Sequence, residues 1–514
     1  MNGPEVERTP RRVPPWVGEA LLALVVVLGA LAVRLVYLEH IENDNDAIQK
    51  WWTVKRYLTG TPIRLWDHHS ARLAINVPAY LVQVVFGTHA RNYYVLPVFM
   101  GVAMALLAYL TARRLSGPVT GVLAAILVTA FPQMERTASQ FLPGVFSGAY
   151  VMLAVYALVV YAGRPRRGWL LFAGTALFAA YLSRMTTLYF LPGFVFAVWL
   201  RRRSLLDVFW LLLPLAVLFA IETAAYAIFT DYEFGRYSII NTTHFRHDPS
   251  QAKPMTLAGI TRRFTEAHWY WHIALYALPV AAATLLVFAR KRGSTAVVIV
   301  AFSFLLFLAV PVRGSNMAQT VRTHQRYFSP VIGPMMVVFA VWASTVVGSW
   351  RARWRGVLSG GLRSIVERRA GWCALGLFVG YVAVSVHEGW DDLDSQHPLL
   401  RTGQLTRQFS RAYEIGVPIV AASSHAKALK EVRWMYLRRD TIEDAKGRLR
   451  PPKVRFVKHK GKRYAYLGKG ISPGDVKRAL KTRKCIITVK RVMGKHRNRT
   501  LRVVKSRMSR RCGR

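Results

Sequence analysis

The sequence predicts an α-helical protein that crosses a membrane many times and ends in a small, basic α+β domain. Hydrophobic residues make up 53% of its 514 residues, more than an ordinary soluble protein carries. Apolar stretches of roughly 18–23 residues recur along the chain, and each is long enough to cross the hydrocarbon layer of a bilayer. The last part of the chain has few such stretches and is rich in Lys and Arg.

These stretches define about eleven candidate membrane spans. They cover, to within a few residues, 20–38, 91–112, 117–133, 141–162, 168–182, 187–200, 205–229, 270–289, 294–311, 327–349 and 372–387. The first is predicted to remain as an uncleaved span, because Arg34 and Tyr37 continue it and no signal cleavage site follows.

Basic clusters fall in alternate loops between the candidate spans. Five such clusters are Arg113-Arg114, Arg164 to Arg167, Arg201 to Arg203, Arg290 to Arg292, and Arg351 to Arg369. Lys and Arg next to a span tend to stay on the cytoplasmic side, so these loops are predicted to be cytoplasmic. Residues 39–91 and everything after about Glu388 are then predicted to lie outside the cytoplasm, in a multi-pass protein of the plasma (inner) membrane.

The chain after the last span forms the predicted α+β domain, residues 390–514, which follows a membrane domain of residues 1–389. Strands are predicted at 416–422, 485–492 and 500–504, with a helix at 425–438. Alternation around Lys460-Gly461-Lys462 predicts a hairpin over 454–466. From Asp391 onward the sequence has 34 Lys and Arg against 9 Asp and Glu, a surplus of 25 positive charges.

An acidic cluster, Glu42-Asn43-Asp44-Asn45-Asp46, follows the first span at the start of an amphipathic segment predicted to be helical over 46–58. A carboxylate at the mouth of a membrane cavity could act as a general base for an attacking hydroxyl. Asp46 is the first choice for that role and Asp44 the second. The competing interpretation is that one of these residues caps the helix.

Two further outer segments carry groups suited to an anionic phosphate. In the first, His68 and Arg72 could contact the phosphate, with Asp67 and His69 in support. Ordinary polar residues at the headgroup level would give the same pattern.

In the second segment Arg326 begins a late span and could bind a lipid-linked phosphate, with His324 beside it. Snorkelling to lipid headgroups is the alternative for this arginine. The polar, aromatic segment 235–248 is the predicted acceptor-side loop, with Asn241, His244 and Arg246 as its candidate residues.

Several weak motifs occur in a defined order along the first 390 residues. They are Asp46-Ala47-Ile48 through Gly60, Trp66-Asp67-His68-His69 through Phe86-Gly87, Arg91 to Leu115, Ser183-Arg184 to Gly193, and Gln325-Arg326-Tyr327-Phe328 to Pro334. Together they resemble membrane glycosyltransferases of the GT-C fold. The closer likeness is to the branch of the dolichyl-phosphate-mannose protein mannosyltransferases and the bacterial aminoarabinose transferases of lipid A.

The resemblance implies a GT-C-like catalytic domain that transfers a sugar from a polyprenyl-phosphate donor by a single inverting displacement. It implies that Asp46 is the catalytic base and that His68, Arg72 and Arg326 meet the donor phosphate. The chain departs from the family pattern at three places, where Ala47 replaces a Glu, His69-Ser70 replace Pro-Pro, and Pro143-Gly144 replace an acid. The spacing of Asp44 and Asp46 is similar to that in arabinosyltransferase-type enzymes. It leaves a divalent metal open, although no other ligands are evident.

The partners expected from this interpretation are the polyprenyl-phosphate sugar, membrane lipids, and a glycan, lipid or protein acceptor of the cell envelope. Nucleic acid is excluded by compartment, although the charge would suit it. The alternative function is a polytopic transporter or flippase for an anionic lipid or solute. That class predicts charged residues within spans and internal repeats, and Glu222 is the main acid within a candidate span.

Overall fold

The structure is a computed structural model of the chain. It describes residues 15–41, 45–58, 69–230, 235–236, 238–239, 253–254, 269–286, 292–309, 319–320, 327–357, 397–437, 442–443, 449–450, 452–496 and 499–509.

The part of the chain up to residue 357 is mainly helical. The helices are α1 (Pro15–Val36), α2 (Asn45–Leu58), α3 (Leu73–Phe86), α4 (Val95–Ser116), α5 (Pro118–Thr129), α6 (Pro132–Thr137), α7 (Pro143–Gly163), α8 (Arg167–Ser183), α9 (Leu191–Arg202), α10 (Leu205–Phe229), α11 (Trp269–Thr284), α12 (Arg292–Ala309) and α13 (Ile332–Val357). A helix thus lies at each of the first ten candidate spans, and the eleventh, 372–387, is outside the described residues.

Among the described residues, four helical segments are long and apolar enough to cross a membrane. They are Val17–Val36, Ala90–Ser116, Pro143–Gly163 and Leu205–Phe229, and shorter apolar helices accompany them. The molecule is therefore a multi-pass membrane protein, as the hydropathy of the sequence predicts.

Helix α7 lies in the middle of the bundle and packs against α4, α8, α12 and α13. Close packing of this kind depends on small residues where two backbones approach. Gly193 of α9 is one example, because its backbone N–H donates to Ser303 Oγ of α12 at 2.9 Å. A side chain at Gly193 would overlap Ser303 and the α12 backbone.

The described basic clusters lie at one end of their helices, and the other ends of the helices form a second set. Arg113 and Arg114 lie in the last turn of α4, and Arg201 and Arg202 in the last turn of α9. The start of α7, the end of α8 and the start of α13 lie at the opposite ends of their helices, away from the cluster at 164–167 and from the basic end of α13 at 351–357. Which side of the membrane each set of ends faces stays a prediction.

The C-terminal region, defined here as the described residues from 397 to 509, contains three helices and a five-stranded sheet. The helices are α14 (Pro398–Glu414), α15 (Ala426–Met435) and α16 (Pro473–Thr482). The strands within the described residues, including two isolated two-residue pairs, are β1 (Lys253–Pro254), β2 (Gln319–Thr320), β3 (Ile419–Ala422), β4 (Ile442–Glu443), β5 (Leu449–Arg450), β6 (Arg455–His459), β7 (Lys462–Leu467), β8 (Ile487–His496) and β9 (Arg499–Met508).

The five-stranded sheet has the order β6-β7-β3-β8-β9, in which the β3–β8 pair is parallel and the others are antiparallel. The predicted hairpin is confirmed, with Lys460 and Gly461 at φ 47° and 73° in its two-residue turn. Both residues having positive φ is the condition for a type I′ turn, and Gly meets it without steric strain. Helices α14 and α16 are elements that the sequence analysis does not predict.

The C-terminal region packs on helix α2 and on the end of α1 with the residues that follow it. Trp52 Nε1 of α2 donates to Met435 Sδ at 3.0 Å. His397 Nε2 lies 2.8 Å from the carbonyl oxygen of Leu35, and Arg401 Nη1 lies 3.3 Å from His40 Nδ1. These contacts fix the region beside the helix that carries Asp46.

Candidate functional site

Helix α2 holds Asp46 in its first turn, as the amphipathic segment predicts. One face of the helix is fully buried, and Trp51 on that face packs against Tyr93 and Phe141 with ring centres 5.8 and 5.4 Å apart. Lys50, one turn after Asp46, is also buried, and its Nζ donates to the Asp46 carbonyl oxygen at 2.7 Å. The helix is therefore anchored within the protein and gives Asp46 a fixed position.

Arg72 lies immediately before helix α3, on a turn held by a buried amide. Asn76 Nδ2 donates to the carbonyl oxygens of both His69 and Ser70, each at 2.9 Å. The Arg72 guanidinium reaches across to helix α8, where Nη1 donates to the Ser183 carbonyl oxygen at 2.9 Å. A change in this turn would therefore move the arginine as well.

The C-terminus of helix α8 brings three arginines together. Its last carbonyls have no partner within the helix and carry partial negative charge. Arg72 donates to Ser183, and Arg236 Nη1, which is buried, donates to the Tyr181 carbonyl oxygen at 2.6 Å. The next residue in the chain is Arg184, whose guanidinium carbon lies 4.0 Å from the centre of the Tyr327 ring.

These elements line a cavity that opens to solvent, and its empty space, including the solvent at its mouth, is about 460 Å³. Its lining residues come from α2, the turn before α3, the segment from α6 to α7, the end of α8 and the start of α13. They are Asp46, Lys50, Arg72, Thr137, Leu142, Pro143, Gly144, Arg184, Tyr327 and Ser329. The described lining thus combines one carboxylate with three cations, at the helix ends opposite the basic clusters.

The positive charges of the cavity act on one another. Burial first, and then the charges of Arg236 and Arg184, lower the pKa of Arg72 to about 9, although Tyr327 and Asp46 act in the opposite direction. Arg72 therefore remains a cation at neutral pH, in a setting where like charges repel and water is partly excluded. A bound anion would relieve that repulsion, so the site is suited to a phosphate.

The structure brings together two of the predicted site residues, Asp46 and Arg72, in one cavity. His69 is buried near by but is not part of the lining. The remaining candidates lie outside the described residues, namely Asp44, Asp67, His68, His324, Arg326, Asn241, His244 and Arg246.

Three functional candidates emerge from the structure alone: Lys50, Arg184 and Tyr327. Arg184 and Tyr327 belong to segments on which the family resemblance rests, so the signal for them is present in the sequence. Lys50 lies at position i+4 from Asp46, where two helical side chains share a face. The sequence alone therefore also indicates that Lys50 lies close to the candidate base.

The cavity wall includes Pro143 and Gly144, the position where the family pattern has an acid. The chemistry of this cavity therefore differs from that pattern at a place that a substrate can touch. Within the described residues no group of three or more His, Cys, Asp and Glu side chains is arranged to hold a metal ion. Asp44, the second carboxylate of the predicted pair, is outside those residues.

Comparison with known proteins gives both a family match and matches to solved structures. Residues 77–228, under a third of the chain, match the model of the dolichyl-phosphate-mannose-protein mannosyltransferase family. The structure of ArnT from Cupriavidus metallidurans in the apo state superposes with a TM-score of 0.50 at 15% identity, covering 78% of this chain and 80% of ArnT. No curated protein sequence matches.

Two further structures are similar at lower scores. ArnT from the same organism bound to undecaprenyl phosphate gives a TM-score of 0.49 at 14% identity, over 88% of this chain and 98% of that one. The apo oligosaccharyltransferase of Archaeoglobus fulgidus gives 0.48 at 12% identity, over 77% of this chain. The present chain spans 58% of the length of that oligosaccharyltransferase.

The fold is therefore the GT-C fold, and the resemblance predicted from ordered motifs is confirmed. The family match includes Pro143, Gly144 and Arg184 of the cavity, whereas Asp46 and Tyr327 lie outside it.

Proposed function

We propose that this protein is a membrane glycosyltransferase that transfers a sugar from a polyprenyl-phosphate donor to an acceptor hydroxyl at the extracytoplasmic face. One observation carries the proposal: a single cavity holds a carboxylate, Asp46, together with Lys50, Arg72 and Arg184. A base and a set of cations in one cavity are what such a reaction needs, since it removes a proton at one point and releases a phosphate at another.

The reaction is a single displacement with inversion at the anomeric carbon. Asp46 accepts the proton of the acceptor hydroxyl while the hydroxyl oxygen attacks that carbon. The bond between the anomeric carbon and the phosphate oxygen breaks, and the electron pair leaves with the polyprenyl phosphate. Negative charge thus moves from Asp46 to the phosphate, where Arg72, Arg184 and Lys50 stabilise it.

The three cations are held in position by different contacts. Arg72 and Arg184 are anchored by the Ser183 carbonyl and the Tyr327 ring, so their guanidinium groups are already oriented before the donor arrives. Pre-oriented donors stabilise developing charge without reorganising during the reaction. Lys50 is attached to the same helix turn as Asp46 and therefore links the position of the base to that of the phosphate. His68 and Arg326 remain further proposed phosphate ligands.

The proposed location is the plasma membrane, with the cavity and the C-terminal region outside the cytoplasm. The cavity lies at helix ends opposite the five basic loops, and such loops are retained in the cytoplasm. The donor lipid can then remain in the bilayer while its sugar enters the cavity from the outer leaflet. A reporter fused after Glu388 should be active outside the cytoplasm, and activity on the cytoplasmic side alone would contradict this orientation.

The function is tested by transfer from a panel of polyprenyl-phosphate sugars to envelope acceptors, with the full chain in nanodiscs. Mass spectrometry should detect a glycosylated acceptor and free polyprenyl phosphate in equal amounts for at least one donor. Product from Asp46→Asn should fall by about 10²–10⁴-fold while donor binding remains, because a general base typically contributes that factor. Movement of intact donor between leaflets, with no covalent product from any donor, would instead indicate a transporter or flippase.

A further inference from the structure

The C-terminal region carries an extreme excess of positive charge. Between residues 452 and 509 the sequence has 20 Lys and Arg residues and one acid, Asp475. That acid is already engaged, because its carboxylate accepts from the backbone N–H and the side chain of Ser472 in the capping box of α16. The described residues from 452 to 509 therefore contain no second carboxylate to balance their cations.

The cations are placed next to one another rather than dispersed. The register of the β6–β7 hairpin sets Lys458 directly opposite Arg463. Residues opposite each other in antiparallel strands have Cβ atoms about 4.5–5.5 Å apart, and like charges there are destabilising. Lys477 and Lys481 form a like-charge pair at i and i+4 on α16, with the same effect. A bound anion would remove this repulsion.

The basic surface extends over both edges of the sheet. Strand β6 forms one edge with α16 packed on it, and β9 forms the other. Fourteen Lys and Arg side chains described between 452 and 509 are exposed, ten on the hairpin, α16, β8 and β9 and four in the segments between them. Among the described side chains of this part the exposed large hydrophobic residues are Phe456 and Met508, and the Arg463 guanidinium lies 4.4 Å from the centre of the Phe456 ring.

This distribution suits a flexible chain of anionic groups better than a flat membrane surface. A bilayer contacts one side of a protein and favours apolar side chains that insert beside the cations. Here the described exposed cations lie on the hairpin at one edge and at Arg507 on the other, and the Arg463 guanidinium lies over one part of the Phe456 ring. A chain can pass from one edge to the other and contact both.

We propose that the C-terminal region binds a linear polyanion, with a phosphate or carboxylate on each repeat, and holds it beside the cavity as the acceptor. The region packs on α2 through Trp52 and Met435, so a polymer on its surface lies close to the helix that carries Asp46. The role as acceptor rests on the proposed glycosyltransferase function, whereas polyanion binding does not.

The test measures binding alone, with the full chain in nanodiscs of neutral phosphatidylcholine. The probes are fluorescent inorganic polyphosphate for phosphate repeats and labelled alginate for carboxylate repeats. Both should bind at low salt, and log affinity should fall linearly with log salt concentration, as it does when cations displace condensed counterions. The probe that binds more tightly identifies the preferred anion, and binding of neither overturns the proposal.

A matched pair of variants distinguishes the contribution of this surface to binding from the effect of the overall net charge. Lys477→Glu with Lys481→Glu reverses two exposed cations on α16 and should weaken binding by about tenfold or more, since each cation near an anionic surface contributes about 1 kcal/mol. Arg166→Glu with Arg203→Glu makes the same charge change at two exposed cations of the basic loops and should change affinity less than about twofold. Equal losses in both variants would reduce the effect to overall charge and contradict a binding surface.

Two further probes complete the test. Tighter binding to nanodiscs of anionic lipid than to polyphosphate would assign the surface to the membrane and contradict the polymer. Tighter binding to a single-stranded oligonucleotide of equal charge would indicate base recognition, which needs exposed aromatic platforms. Binding that persists while no sugar is transferred would leave polyanion binding intact and contradict the acceptor role together with the glycosyltransferase function.

Discussion

The guanidinium of Arg184 stacks over the ring of Tyr327, with its central carbon 4.0 Å from the ring centre. The two residues come from the end of α8 and the start of α13, and both line the cavity. A cation over an aromatic face is stabilised by about 0.5–2 kcal/mol, and more strongly when water is excluded. The ring therefore orients the arginine toward the space that a donor phosphate would occupy.

This contact predicts different effects for two substitutions of Tyr327. Tyr327→Phe keeps the aromatic face and should retain donor affinity within about threefold. Tyr327→Leu removes the face and should raise the donor KM by roughly three- to thirtyfold, the equivalent of the cation–π energy. Donor titrations of both variants measure the effect, and equal KM values for Phe and Leu would show that the ring does not orient Arg184.

The pairing of Arg184 with Tyr327 shows which part of the site can be predicted from sequence. Motif order identifies both segments, yet the contact joins residues far apart in the chain and depends on helix packing that the sequence does not display. Asp46 and Arg72 are predictable because Asp46 opens an amphipathic helix and Arg72 precedes an apolar one. The sequence places Lys50 at i+4 from Asp46, on the same helix face. Its role depends on the cavity that this face lines, and the structure is needed to show that cavity.

In the C-terminal region, too, some elements can be predicted from the sequence and others cannot. The hairpin at Lys460-Gly461 is predictable because a two-residue turn with positive φ has a strong local signature. Helix α14 is harder to predict because its N-cap residue, His397, makes no side-chain capping bond and much of the helix is polar. Its buried residues Leu405, Phe409, Ala412 and Tyr413 follow helical spacing, but the burial depends on partners elsewhere in the chain, such as Tyr436, whose ring centre lies 5.8 Å from that of Phe409.

Asp46 can be tested as base or cap by comparing activity with stability. Asn is itself a good helix-capping residue, so Asp46→Asn should change the melting temperature little while transfer falls by about 10²–10⁴-fold. Asp44→Asn is the matched control and should retain transfer. If Asp44→Asn is the inactive variant, the base lies two residues earlier. If Asp46→Asn melts early and turns over normally, Asp46 has a capping role.

Lys50 is expected to serve both the base and the phosphate. Lys50→Met keeps the apolar stem but removes the ammonium that contacts the Asp46 carbonyl and lines the cavity. We expect kcat/KM to fall by about tenfold, the effect of one lost charge-assisted hydrogen bond, with partial recovery in Lys50→Arg. Lys55→Met is the control, because Lys55 is equally buried on α2 but is not part of the cavity lining. Equal losses of donor affinity in both variants would indicate a general effect on α2.

Arg72 should make the folded protein sensitive to anions. Inorganic phosphate or pyrophosphate should raise the melting temperature of the detergent-solubilised protein, by an amount equivalent to about 2.7 kcal/mol at a hundred times its Kd. Arg72→Gln should lose most of this stabilisation, whereas sodium chloride at equal ionic strength should not produce it. Stabilisation by chloride of the same size would show ionic screening rather than a phosphate site.

The pH dependence of this anion effect follows from the pKa of Arg72, which burial and the neighbouring arginines lower to about 9 in the folded protein, well below that of the free side chain. Above pH 9 the folded protein binds fewer protons than the unfolded chain, so this residue makes intrinsic stability rise with pH there. Anion stabilisation should change in the opposite direction and fade above pH 9, because the guanidinium that binds the anion loses its proton. Melting curves with and without phosphate between pH 7 and 10 measure both trends.

Gly403 should control the attachment of the C-terminal region to the membrane helices. It lies within α14, where a Cβ would overlap the Arg91 guanidinium beside the turn at Ala90–Tyr94. In an exposed helix Gly→Ala stabilises by about 1 kcal/mol, so a loss of stability in Gly403→Ala would report the overlap directly.

Gly474→Ala in α16 provides the control, since the nearest atom to its added Cβ is Ser472 Oγ at 3.5 Å, an ordinary contact. We expect Gly474→Ala to melt at or above the wild-type temperature. Gly403→Ala should melt lower, and the larger Gly403→Val should release the C-terminal region to limited proteolysis at the segment before Pro398. Because Arg91 can shift its flexible end, Ala should be tolerated better than Val. Full protection of Gly403→Val would show that α14 does not depend on this close approach.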